Sequence, residues 1–402
     1  MYLNSYAKVI VNIGVAVEKG DLIKISFYHE HVPLVREIAK EAYKSGAKYV
    51  ALDFRDREIE KDRFQFLAEK YIEEFPKPIV ENELNYAESG FTNITILSPT
   101  FSSKNEQLIK RESTINKAKA LAMSPVRRYG MENNNKWVVV NAPTKEWAVN
   151  VFPDLPPEKA FERLWENVYI ATKSNEPDPV LAWKKQDHNL KNIAKKLNEY
   201  QFTAIHFISE KTDLTVSLVK DHVWIGGSET TKDGRSFISN IPVEEVWTMP
   251  NKYKVNGYVF VTKPLILGGQ TIENIKLFFQ NGKVVKIAPE NEVLQSFLLT
   301  DEGASMLGEV ALVPANSSIE KTGITFKSTL FDENAASHIA FGQAYIDNIS
   351  NDIPRTEEEL MQLGMNCSAV HLDIMIGDNS MSVYGFLNEE KILIMENGMW
   401  KI

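Results

Sequence analysis

The chain has almost no cysteine: Cys367 is the single one among 402 residues. A disulfide within the chain and a zinc site built on several cysteines are therefore excluded. No apolar run approaches the ~20 residues that a membrane-spanning helix needs. The first residues also lack the basic region, apolar run and small-residue cleavage site of a secretory leader. We therefore expect a cytoplasmic protein with no membrane partner.

An excess of basic residues is also missing, since 45 Lys and Arg face 54 Asp and Glu, for a net charge of −9. Binding to nucleic acid depends on clustered cations, so we expect no nucleic-acid partner. Neither Gly-x-Gly-x-x-Gly nor Gly-x-x-x-x-Gly-Lys-Ser/Thr follows any strand-like segment. A dinucleotide or nucleotide cofactor therefore has no motif to support it.

The composition is that of a globular protein, with 44% apolar and 25% charged residues. A chain of this length exceeds one ordinary core, which favours two domains. Strand-like and helix-like segments alternate through the first half, a rhythm typical of a doubly wound, mostly parallel sheet. The run Asn175-Glu-Pro-Asp-Pro179 is typical of a boundary. We therefore predict an α/β domain over residues 1–178.

The rhythm changes after this boundary. A basic amphipathic helix is predicted over Pro179–Tyr200, followed by short strands separated by turns. Asn281-Gly282 predicts a tight hairpin, because both positions tolerate positive φ. Residues 179–402 are therefore predicted to form an α+β domain built largely on antiparallel pairs, and this domain carries the candidate site described next.

Polar residues occur within apolar surroundings at four places of the second domain: Glu244-Glu245, Glu309, His338 and His371-Leu-Asp373. Residues i and i+2 of a strand face the same side, so the last motif can offer both side chains to one ion. Adjacent residues face opposite sides, so only one glutamate of the pair can readily enter a given site. Each place alone is also typical of a solvated strand face, an ion pair or a satisfied core histidine.

Together the four places supply two histidines and at least three carboxylates. This set suits two divalent ions about 3.5–4 Å apart, bridged by a carboxylate. A set without thiolates fits zinc, cobalt or manganese, and the sequence does not discriminate among them.

Four longer runs resemble the aminopeptidase T family of thermophile and staphylococcal metallopeptidases, in the order and spacing of that family. Thr262-Lys-Pro-Leu-Ile-Leu-Gly-Gly269, between them, is similar as well. The four runs are Asn240-Ile-Pro-Val-Glu-Glu-Val-Trp-Thr248, Thr300-Asp-Glu-Gly-Ala-Ser-Met-Leu-Gly-Glu-Val-Ala-Leu-Val313, Asp332-Glu-Asn-Ala-Ala-Ser-His-Ile-Ala-Phe-Gly-Gln-Ala-Tyr345 and Asn366-Cys-Ser-Ala-Val-His-Leu-Asp-Ile-Met-Ile-Gly377.

The resemblance implies a homodimeric exopeptidase with two divalent metal ions per chain that acts on peptides with a free N-terminus. Tyr345 stands at the family's active-site tyrosine, and Glu309 is the bridging ligand of our hypothesis. Glu244 is then left for proton transfer, although the spacing leaves the choice between it and its neighbour open. The implied metal ligands are Glu245, Glu309, His338, His371 and Asp373.

Two other interpretations stay open at this level. The same residues could serve a metal-dependent hydrolase of non-peptide amides or esters. They could also belong to a non-catalytic α/β protein in which the acidic residues are structural or bind a single metal.

Overall fold

The computed structural model describes residues 2–101, 106–267, 270–350, 355–388 and 390–402. They group into two compact units, which we call unit 1 (Met1–Lys184 and Ser228–Ile241) and unit 2 (Lys185–Gly227 and Pro242–Ile402). The two-domain layout divided after residue 178 stays a prediction. Gly268 and Gly269, the end of one family-like run, lie outside the described residues.

No helix in the described part of the chain combines the length and apolarity required to cross a membrane. The α-helices, in chain order, are α1 (Leu3–Val9), α2 (Val32–Lys44), α3 (Arg57–Phe66), α4 (Lys77–Glu88), α5 (Glu106–Ala122), α6 (Ser124–Met131), α7 (Lys145–Val151), α8 (Pro157–Ala171), α9 (Pro179–Tyr200), α10 (Glu292–Leu298), α11 (Thr329–Asp332) and α12 (Glu357–Leu363).

The strands follow the same numbering by position in the chain. They are β1 (Leu22–Tyr28), β2 (Tyr49–Arg55), β3 (Thr92–Leu97), β4 (Trp137–Asn141), β5 (Ala204–Ile208), β6 (Asp213–Leu218), β7 (Glu229–Thr230), β8 (Ser236–Phe237), β9 (Asn240–Ile241), β10 (Val246–Thr248), β11 (Pro250–Phe260), β12 (Leu265–Leu267), β13 (Gln270–Ile272), β14 (Lys276–Gln280), β15 (Lys283–Ala288), β16 (Leu307–Leu312), β17 (His338–Gly342), β18 (His371–Met375), β19 (Ser382–Leu387), β20 (Glu390–Glu396) and β21 (Met399–Trp400).

Unit 1 contains a parallel sheet in the order β2-β1-β3-β4-β9. The connection from β1 leads outward to β2, and the next one returns past β1 to β3. Right-handed crossovers in opposite directions place their helices on opposite faces of a sheet. The predicted parallel sheet with intervening helices is therefore confirmed.

Unit 2 is built on antiparallel sheets, as predicted. One has the strand order β15-β14-β11-β6-β5-β19-β20-β21, and a smaller one has the order β10-β16-β17-β18. The predicted hairpin joins β14 to β15, with φ of 49° at Asn281 and 88° at Gly282. The basic helix has the predicted bounds, Pro179–Tyr200.

His31, in a short turn after β1, is a buried imidazole of unit 1, with 1% of its surface exposed. Its Nδ1 accepts the N–H of Tyr28 at 3.4 Å, and its Nε2 lies 2.8 Å from the Ser98 hydroxyl. The Ser98 hydroxyl donates to the carbonyl of Ala142, so Nε2 carries the proton. Burial, with the nearby charge of Arg57, lowers the pKa of His31 to about 3.

This buried ring makes stability depend on acidity. The unfolded chain protonates His31 below pH 6.5 and the folded chain only near pH 3. The free energy of unfolding therefore falls as the pH drops through this window, by at most about 1.4 kcal/mol per pH unit from this group. We expect His31→Gln to flatten the pH dependence of urea unfolding below pH 6.5. His188→Gln, at an exposed position of α9, is the control, and equal slopes in all three proteins would contradict the assignment.

Candidate metal centre

The smaller antiparallel sheet of unit 2 places four of the predicted ligands on one face. Ala340 of β17 pairs with Glu309 of β16 on one side and with Asp373 of β18 on the other. His338 lies two residues before Ala340, and His371 two residues before Asp373. Paired residues of adjacent strands, and residues two apart, face the same side of a sheet. The strand register therefore brings all four side chains, those of Glu309, His338, His371 and Asp373, together on one face of the sheet.

Glu245 is the residue immediately before β10, and its side chain also belongs to this group. Trp247 pairs with Ala311 of β16, and Glu245 lies two residues before Trp247. Its Oε2 is 3.0 Å from His338 Nε2, and Glu309 Oε1 is 3.5 Å from the same nitrogen. Ligand atoms of these three residues all lie within 4.8 Å of one another. Glu245 therefore lies inside the cluster.

Glu309 lies between two groups of potential ligands. Its Oε1 faces His338, and its Oε2 lies 3.9 Å from His371 Nε2. His371 Nε2 is also 3.3 Å from Asp373 Oδ1. The carboxylate thus has one oxygen directed at each histidine, which is the arrangement that a bridging ligand requires.

Both histidines are oriented by the backbone. His338 Nδ1 lies 3.2 Å from the carbonyl oxygen of Ala336, and His371 Nδ1 lies 2.9 Å from that of Gln343. A carbonyl only accepts, so Nδ1 carries a proton and Nε2 is directed at the carboxylates. Histidine ligands of metals are held in this way. The donor set therefore fits divalent cations.

The carboxylates also make the pocket strongly attractive to positive charge. Burial alone would lower the pKa of His338, but contacts with Glu245 and Glu309 raise it well above its ordinary value. Burial opposes the charged form of His371 too, yet Asp373 raises its pKa to about 9. Protons supply positive charge at these nitrogens, and divalent cations can supply it instead.

Glu333 is a carboxylate of this pocket that our sequence analysis did not single out as a ligand. Burial, and then the charges of Asp373 and Glu245, raise the pKa of Glu333 well above its ordinary value. It belongs to a short 3₁₀ turn, Glu333–Ala335. Strand periodicity does not apply in such a turn, and Glu333 lies five positions before His338 with four residues between them. An acidic residue near a predicted ligand was the only available signal.

Glu244 points elsewhere. Its buried carboxylate accepts from Gln186 Nε2 at 2.8 Å and from the Ser318 N–H at 3.2 Å. It is not a member of the group of close ligand atoms that contains Glu245. Its predicted part in proton transfer stays a prediction.

Tyr345 borders the cluster and keeps contact with solvent. Its ring centroid is 5.3 Å from that of His371, and 39% of its surface is exposed. Burial, followed by the charges of Glu309 and Asp373, raises the pKa of Tyr345. The phenol therefore stays protonated at neutral pH and is available as a hydrogen-bond donor.

A cluster of largely buried carboxylates and Nε2-directed imidazoles is typical of a metal-dependent enzyme, and metal-dependent hydrolases use such sets. The chain belongs to the family described as thermophilic metalloprotease (M29), which it matches over residues 1–400. This membership confirms the family predicted from the motifs.

Individual relatives agree with this membership. The chain is 39% identical to Aminopeptidase AmpS of Bacillus subtilis (strain 168), over 99% of this chain and 98% of that protein. It is 37% identical to Aminopeptidase T of Thermus aquaticus, over 100% of this chain and 98% of that protein. The structure of wild-type AmpT from Thermus thermophilus superposes with a TM-score of 0.91 at 36% identity, covering 100% of this chain and 99% of that one. The predicted enzyme class, a metallo-aminopeptidase, is confirmed.

The opposite orientations of the two adjacent glutamates lead to a direct test. Glu245→Gln weakens a predicted ligand, so we expect it to reduce metal affinity by more than about tenfold. Glu244→Gln keeps only one of the two acceptor oxygens that face Gln186 and the Ser318 N–H, but it removes no proposed ligand, so it should reduce affinity by less than about tenfold. Competition with a chromophoric chelator measures both. A larger loss in Glu244→Gln than in Glu245→Gln would reverse the assignment.

Proposed function

We propose that the chain removes N-terminal amino acids from peptides with a free N-terminus, using two divalent ions held in unit 2. Zinc, cobalt and manganese all suit the donor set. Membership of the metalloprotease family supports the reaction class. The proposed ligands are Glu245, Glu309, His338, His371 and Asp373, with Glu333 as a further carboxylate of the same pocket.

One observation carries the proposal of two ions. Glu309 has one oxygen near each histidine, and each histidine has a second carboxylate of its own. Glu245 accompanies His338 at 3.0 Å, and Asp373 accompanies His371 at 3.3 Å. Two nitrogen-and-oxygen half-sites that share one carboxylate are typical of a dinuclear centre.

When bound, divalent ions act as Lewis acids and lower the pKa of water from about 15.7 towards neutrality. The chain's own residues then orient the reactants. The protonated phenol of Tyr345 can donate to the oxyanion that develops on the scissile carbonyl. Glu244 keeps its proposed part in proton transfer as the adjacent carboxylate that is not a proposed ligand. Its contacts with Gln186 and the Ser318 N–H direct it away from the cluster, so this part requires a rotation of its side chain.

Selectivity for the free N-terminus follows from charge. Glu245, Glu309, Glu333 and Asp373 surround the centre, so the pocket favours a substrate that brings its own positive charge. The α-ammonium of a peptide is such a group, and an N-acetylated peptide lacks it.

A homodimer, which the family resemblance implies, is part of the proposal, and light scattering should give twice the chain mass of 45.7 kDa. The cytoplasmic location stays a prediction.

The two half-sites can be separated by mutation. We expect the double variant His371→Ala/Asp373→Ala to lose one of two bound ions and its turnover of aminoacyl nitroanilides. The other half-site retains Glu245, Glu309 and His338. Elemental analysis after dialysis gives the ions per chain. A variant that keeps both ions and its turnover would show that the assignment is wrong.

A matched histidine–aspartate pair provides the control for this experiment. His206 Nε2 and Asp213 Oδ1 are 2.8 Å apart on adjacent strands of the larger sheet of unit 2. The double variant His206→Ala/Asp213→Ala removes the same chemical groups, and both ions and the activity should remain.

Blocking the substrate's amine separates an exopeptidase from other metal-dependent hydrolases. With the metal-loaded enzyme, N-acetylation of a peptide should lower kcat/KM by at least about 100-fold, because the α-ammonium and its charge are lost. Liquid chromatography of the products measures this. Equal rates on acetylated peptides, simple amides or esters would favour the broader hydrolase instead.

A further inference from the structure

Asn334 is fully buried, with 0% of its surface exposed, and lies between Glu333 and the strand that begins at His338. Its Oδ1 accepts the backbone N–H of Glu244 at 2.6 Å. Its Nδ2 donates to the carbonyl of Leu330 at 3.3 Å and to Glu333 Oε1 at 3.4 Å. One carboxamide thus contacts two acidic segments that are about 90 residues apart in the chain.

Both ends of the carboxamide are needed for this arrangement. A carboxamide offers two N–H donors and an acceptor oxygen, and all three functions have a partner here. Aspartate in this position could accept from the Glu244 N–H but could not donate to Glu333, and it would add a negative charge beside it. An aliphatic side chain could make neither contact. Asparagine is therefore the residue type that satisfies both segments.

The contact with Glu244 bears on Glu245. The backbone N–H of Glu244 is held by Asn334, and its carboxylate is held by Gln186 and the Ser318 N–H. A residue anchored at both its backbone and its side chain leaves the following residue little freedom. Glu245 is directed to the other side, towards His338.

We propose that Asn334 is a positioning residue of the metal centre, which holds the backbone before Glu245 and the Glu333 carboxylate in place for metal binding. The inference rests on the proposed function, because it assigns these carboxylates to the metal. Like charges repel one another in the pocket, and Glu245 and Glu333 lie outside the paired strands, so a neutral contact such as this one helps to keep their carboxylates in place. Residues that orient metal ligands in this way affect metal affinity by about 10–100-fold.

The test compares two buried asparagines of unit 2. Asn366 is also 0% exposed and donates to two backbone carbonyls, those of Gly303 and Met306, at 2.9 and 3.0 Å. Asn334→Ala and Asn366→Ala each delete a buried carboxamide, and both should lower the melting temperature in chelator. We expect Asn334→Ala alone to weaken zinc binding, by about 10–100-fold in competition with a chromophoric chelator.

Asn334→Asp keeps the acceptor for the Glu244 N–H and serves if the alanine variant does not fold. It should also bind zinc more weakly than the wild type, because the donor to Glu333 is replaced by a like charge. Zinc affinity within about twofold of the wild type in the folded Asn334 variants, or an equal loss in Asn366→Ala, would overturn the proposal. If the wild type itself bound no zinc and cleaved no peptide, the proposed function would fail rather than this inference.

Discussion

Several carboxylates lie close together in unit 2 and repel one another. The strands and side chains around them must hold them together against this repulsion. Glu245, Glu309, Glu333 and Asp373 interact electrostatically, and burial removes the water that would screen them. Such a group is unfavourable unless positive charge accompanies it. His338 and His371 take up protons for this reason. A divalent ion would compensate the negative charge of the carboxylates more strongly than a proton does. Metal binding would therefore also stabilise the sheet that carries them.

The fold resists this repulsion because the main chain fixes several of the proposed ligands. Glu309, His338 and Asp373 belong to adjacent strands whose register is set by backbone hydrogen bonds. Their Cα atoms cannot move apart without breaking the sheet. The proposed ligands on these strands need no loop to close around a metal, and backbone carbonyls orient the imidazoles. A rigid scaffold of this kind limits the reorganisation needed when an ion binds.

Local sequence patterns predicted those features of the structure that depend only on residues close together in the chain. The alternation of a strand placed His371 and Asp373 on one face, and helical spacing with a flanking Pro-rich run predicted α9. The choice between Glu244 and Glu245 could not be made in this way, because it depends on the pairing of β10 with β16, some 65 residues further along the chain. Glu333 was not predicted as part of the site, because a short 3₁₀ turn has neither strand nor helix periodicity. Strand order, which creates the site, is a non-local property.

The motif resemblance was strong only in the second half, whereas the family match extends over residues 1–400. Different physical constraints explain this. A proposed ligand such as Glu309 has no isosteric replacement that keeps its charge and reach, so its surroundings form short, recognisable runs. The parallel sheet of unit 1 requires only apolar residues of suitable size, and cores tolerate exchange among them. The residues around the proposed metal centre therefore keep a family-like pattern in short runs, whereas the first half carries its likeness to the family only in its whole length.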